Sequence, residues 1–94
     1  MTTGGLGIAW YRREDYERLK AMFIDGDNLP DTYDEWLTIA NRTYNVMSAG
    51  GLVVVKALID PETFPEWCSA NGEKLDRQAR STYAAKKAAA MRKT

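Results

Sequence analysis

The spacing of hydrophobic positions along this chain switches several times between strand and helix period. Leu6, Ile8 and Trp10 alternate with Gly7, Ala9 and Tyr11, the rhythm of a strand with two unlike faces. From about Arg13 the period turns helical. Tyr16, Leu19 and Phe23 share a face and Met22 widens it, while Glu14 and Asp15 suit the helix start. Glu14 stands four residues before Arg18, the spacing of a helical ion pair. Ile24-Asp25-Gly26-Asp27-Asn28-Leu29-Pro30 then breaks the pattern with turn formers. A second stripe of Trp36, Leu37, Ala40, Tyr44 and Met47 predicts a helix from Tyr33 to about Ala49, ended by Gly50-Gly51. Leu52 to Ile59 reads as a strand, β-branched at Val53, Val54 and Val55 and interrupted only by Lys56. A run apolar on both faces predicts a strand covered on both sides or set at an interface. A short helix over about Phe64 to Ala70 follows, stopped by Asn71-Gly72. The last helix is expected to start near Lys74 or Leu75 and run toward Met91. Its stripe is Leu75, Ala79 and Tyr83, then almost only alanine, which buries little area.

These elements predict an α+β fold in the order β-α-α-β-α-α, a few-stranded sheet covered by helices. Residues 1–5 are expected to be a flexible lead-in and 6–94 a single domain, built of two similar halves at about 6–49 and 52–92. Two strands alone are marginal in water. The free edges therefore predict completion by a second copy of the chain, with Leu52, Val53, Val54 and Val55 as the dimer edge.

One short segment is written twice. Pro30-Asp31-Thr32-Tyr33-Asp34-Glu35-Trp36 returns as Pro61-Glu62-Thr63-Phe64-Pro65-Glu66-Trp67. A Thr followed three residues later by Glu is a capping box, in which hydroxyl and carboxylate satisfy N–H groups that a helix leaves unbonded at its start. Thr32 with Glu35, and Thr63 with Glu66, are the expected structural caps. Duplication of a half-domain and convergence on good cap chemistry both account for the repeat, and neither requires a ligand.

Composition narrows the chemistry. Apolar residues make up 45% and charged ones 28% of 94 residues, and ten aromatics favour a real core. The chain has no histidine and one cysteine. That excludes Ser-His-Asp and Cys-His catalysis and a Cys/His zinc site within one chain. The acids around Asp25 do not make a calcium loop. Leu29 and Pro30 stand where an EF-hand opening at Asp25 needs an oxygen ligand and a glycine. No catalytic, metal or cofactor residue is assigned, and the chain is expected not to be an enzyme. No apolar run reaches the ~20 residues of a membrane span, and the first residues lack the pattern of a secretory signal. The expectation is therefore a cytoplasmic protein with no membrane partner and no cofactor.

Charge sums to zero but is sorted by position. Asp25, Asp27, Asp31, Asp34 and Glu35 form an acidic stretch, and after Asp76 every charged residue is basic. Arg77, Arg80, Lys86, Lys87, Arg92 and Lys93 are candidate contacts to nucleic acid or an acidic partner. Acidic and basic segments are alternatively expected to meet, in a dimer or with a partner. Cys68 is expected to be a small buried residue rather than a reactive thiol. The aromatic set is expected to be core before ligand pocket.

From Gly7 through Cys68 the chain resembles a family of small uncharacterised bacterial proteins. The resemblance rests on Ile8-Ala9-Trp10-Tyr11-Arg12-Arg13-Glu14-Asp15-Tyr16, on Leu29-Pro30 with Tyr33-Asp34-Glu35-Trp36-Leu37, and on Phe64-Pro65-Glu66-Trp67-Cys68. It implies a bacterial cytoplasmic origin and brings no activity or site residue. The expected function is a non-catalytic protein–protein interaction or accessory regulatory module that self-associates. The alternative is a nucleic-acid-binding protein using the basic C-terminal helix. A small-molecule binder with an aromatic pocket and a carboxylate enzyme rank below these.

Overall fold

A computed structural model describes residues 5–91. The chain runs β1 (Gly5–Trp10), α1 (Arg13–Met22), a 3-10 turn (Gly26–Asn28), α2 (Tyr33–Ala49), β2 (Val53–Leu58), α3 (Phe64–Ala70) and α4 (Arg77–Met91). This is the expected order, in an α+β domain. Of the expected lead-in, Gly5 belongs to β1 and residues 1–4 lie outside the described ones. The strands are parallel, in register from Gly5 beside Val53 to Trp10 beside Leu58. Parallel pairing needs a long crossover, and α1 and α2 provide it.

Helix ends follow local chemistry, with two corrections. At α2 the capping box forms: Thr32 Oγ1 accepts from the Glu35 N–H at 3.2 Å, and Glu35 Oε1 accepts from the Thr32 N–H at 3.3 Å. Thr63 and Glu66 make no such box. Thr63 already has helical dihedrals, and winding begins three residues earlier at Asp60. The Asp60 carboxylate accepts from the Glu62 N–H at 2.8 Å, and its carbonyl accepts from the Phe64 N–H at 2.8 Å. Pro65 has no N–H to bond back to Pro61, which blurs the first turn. The repeat nonetheless sets both Trp36 and Trp67 fourth in their helices. Asp76 caps α4, its Oδ1 accepting from the Ala79 N–H at 3.0 Å, so this helix starts later than Lys74 or Leu75. Gly51, at φ +88°, ends α2. Arg18 pairs with Glu62 at 2.8 Å across the fold instead of with Glu14.

The alanine-rich helix, expected to hold weakly, is deeply seated. Ala79, Ala84 and Ala88 are buried, and α4 packs chiefly against β1. The reason is Gly7, where any Cβ would collide with the Ala84 carbonyl. Small residues on both sides let helix and strand backbones approach closely. On the opposite face of the sheet, Trp10 meets Trp36 and Tyr44 of α2 at 5.1 and 6.4 Å between ring centroids.

All ten aromatic rings join one network, and the Phe23–Phe64 contact at 6.1 Å is its bridge between the first and second halves. Arg80 closes this junction. Its guanidinium lies over the Phe23 ring at 4.3 Å and donates two 2.8 Å bonds to the Asp25 carboxylate. Its side chain is only 7% exposed. A planar fork matched to a carboxylate is the strong form of ion pair, and Arg80 holds the Asp25 carboxyl below its usual range.

Two predictions follow from this packing. Gly7→Ala is expected to cost about 3 kcal/mol or more, because the obstacle is backbone and cannot rotate away; a urea midpoint equal to wild type would refute the close approach. Asp25→Asn leaves a buried guanidinium unpaired and is expected to cost about 3–5 kcal/mol. Asp25 binds its proton less readily folded than unfolded. The pair's stabilisation is therefore present above the unfolded carboxyl pKa, near 4, and declines as pH falls through the lower folded value. Acid titration of stability in wild type and Asp25→Asn, with the loss smaller in the variant, checks the sign.

Candidate functional site

Two features of the fold are left open among the described residues, the margins of the sheet and a groove between α3 and α4. The margins follow from strand geometry. The Trp10 carbonyl accepts from the Ile59 N–H at 2.8 Å, so alternate residues of each strand address the partner strand and the rest point outward. Outward-pointing groups belong to Gly7 and Ala9 on β1 and to Val54, Lys56 and Leu58 on β2. No other strand pairs with either margin among the described residues.

The two margins differ in access. Gly7, Ile8 and Ala9 lie in a groove of about 420 Å³ whose walls include Trp36 and Ile39 of α2 and Arg77 of α4. The β2 side is open. Leu52 is 44%, Val53 58% and Leu58 39% exposed, while Val54 and Val55 are half-buried. Lys56 is the one charge on this strand, and its ammonium turns onto the sheet face, 4.3 Å from the Trp10 ring centre and 4.5 Å from that of Tyr44.

The second feature is an open groove of about 430 Å³ lined by Thr63, Trp67, Tyr83, Lys86 and Lys87. Trp67 and Tyr83 meet edge to face, centroids 5.2 Å apart at 82°. Phe64, fully buried, stacks behind Trp67 at 6.0 Å with planes 10° apart. The Lys86 ammonium lies 5.7 Å from the Trp67 ring centre and that of Lys87 5.5 Å from Tyr83.

The basic residues of α4 therefore do not form one surface. Arg80 is corrected from a contact residue to a buried one: its fork is spent on Asp25, and what little of it is exposed lines the β1 groove. Arg77 lies on the wall of the β1 groove, and Lys86 and Lys87 line the other groove. Arg92 and Lys93 lie outside the described residues. Acidic and basic segments meet inside one chain, through Asp25 and Arg80. The sequence carried a signal for this. Arg80 precedes Ala84 by four residues and Ala88 by eight, which puts it on the buried stripe. Lys86 and Lys87 stand three and four residues after Tyr83, the spacing that puts side chains on its face.

Other reactive groups are turned inward. Cys68 is buried, its thiol reaches the Lys74 carbonyl at 3.7 Å, and burial raises its pKa, helped by Glu73 and Asp76. Tyr16 donates to the Pro30 carbonyl at 2.6 Å, and its pKa is pushed up to about 12, mainly by burial. Among the described residues no cluster of three or more acidic or cysteine side chains gathers into a metal-binding set, and no helix is long and apolar enough to cross a membrane. Comparison with family models, curated proteins and solved structures finds no match for this chain.

Proposed function

We propose that this chain is a non-catalytic protein–protein interaction module that self-associates, acting as an accessory or regulatory part of the bacterial cytoplasm. The observation that carries the reading is the β2 margin. It combines outward backbone groups at Val54, Lys56 and Leu58 with exposed apolar side chains at Leu52, Val53 and Leu58. An open edge with this character is a template for another strand, and proteins that stay monomeric blunt such edges with charge. Lys56, the residue placed to do that, is drawn aside onto Trp10 and Tyr44. A second copy presents the same margin, so a two-fold arrangement pairs like with like and closes.

The test is oligomeric mass. At micromolar concentration sedimentation is expected to return twice the 10.6 kDa of one chain. Val53→Lys, at an exposed position, is expected to weaken the dimer by about 1 kcal/mol or more while leaving the circular dichroism unchanged. A one-chain mass for the wild type at that concentration ends the proposal.

A further inference from the structure

We infer that the groove between α3 and α4 is a nucleotide-binding site, with a planar base on Trp67 and Tyr83 and its phosphate between Lys86 and Lys87. The inference stands apart from self-association, since it uses none of the β2 margin. Its first support is the aromatic corner. Trp67 runs parallel to the buried Phe64 ring, with centroids 6.0 Å apart, and Tyr83 meets it almost at a right angle. A base laid on one of these rings meets the other at its edge, an arrangement that favours flat π-systems and tolerates any base.

Charge is the second support. Both ammonium groups sit above the rings that line the groove, and no carboxylate is among its lining residues. Neither lysine has a carboxylate partner among the described residues. A ring face is a modest partner for an exposed ammonium, and an anionic oxygen is a stronger one. Both side chains are exposed and make no ion pair with the described residues, so they can turn from ring to phosphate without breaking one there. A nucleotide engages rings and ammoniums together through one base and one phosphate, which carboxylates alone do not. The volume of about 430 Å³ suits a ligand of that size.

A free nucleotide and a nucleotide of a single strand present the same chemistry, and titrations separate them. Adenosine, inorganic phosphate, AMP and a short oligoadenylate are titrated by calorimetry, with quenching of Trp67 fluorescence followed in parallel. AMP is expected to bind at least tenfold more tightly than adenosine or phosphate alone, because only it meets rings and ammoniums together. Oligoadenylate binding well above AMP assigns a strand, and equal binding assigns the free nucleotide; either supports the site. The Lys86→Ala/Lys87→Ala double variant should weaken binding by about tenfold, with unchanged circular dichroism because both lysines are exposed. For oligoadenylate it should also flatten the salt slope by about 0.7, for the one phosphate the two lysines hold between them. Trp67→Phe keeps a ring on Phe64 and should retain binding while losing the quenching. The inference is overturned if none of the four binds at millimolar concentration, if phosphate binds as well as AMP, or if the double variant binds as the wild type does.

Discussion

The domain depends on a junction rather than on its sheet. Two short parallel strands contribute little stability alone, and the two halves of the chain meet ring to ring at Phe23 and Phe64. Arg80 lies on that contact and is fixed by both of its forked bonds to Asp25. One residue of α4 thereby fastens the loop after α1 to the start of the last helix. The Ile24 N–H adds a 2.8 Å bond to the Leu75 carbonyl at the same place. A buried ion pair is weak evidence of stability in itself, because both charges lose water. Here the pair has a positional role: it sets the rotation of α4, and that rotation decides which residues of the helix face out.

That rotation explains the division of the basic helix. With Arg80, Ala84 and Ala88 turned inward, Tyr83, Lys86 and Lys87 are carried to the α3 side, where Trp67 waits. Gly7 sets the depth. Because the Ala84 backbone sits directly over it, the helix lies low on β1 and gains by proximity what alanine lacks in area. The halves therefore interlock, with α4 of the second packed chiefly on β1 of the first. The repeat in the sequence describes two similar starts but not two separable units.

How much of this was legible follows from how local each signal is. The bounds of α2 and α3 could be read from Pro, Thr and the terminal glycines because such chemistry acts within a few residues. The second cap misled because Thr63-x-x-Glu66 has the right letters, while Asp60-Pro61 starts the winding first. Strand direction was not legible, since pairing joins residues some forty-eight positions apart and no local pattern encodes it. The depth of α4 had a readable clue in Gly7, since glycine inside a strand marks close backbone approach. The groove was half legible. Tyr83 with Lys86 and Lys87 is a spacing argument, but the arrival of Trp67 beside them depends on the junction.

Electrostatics then separates the two outward-facing features. The ion pairs of the described chain use Arg12, Arg13, Arg18 and Arg80 and leave the lysines of β2 and α4 to aromatic rings. Guanidinium forks suit carboxylates held in one geometry, while an ammonium on a flexible stem is a mobile point charge. On β2, Lys56 leaning on Trp10 and Tyr44 withdraws charge from a margin where charge would oppose a second strand. On α4 the same kind of contact keeps two ammoniums beside the ring faces of a groove, where they concentrate positive potential at an open mouth. One interaction, lysine over an aromatic ring, thus draws charge off an open margin in one place and keeps charge beside a groove in the other, and which effect results depends on whether the ring belongs to the sheet face or to the groove wall.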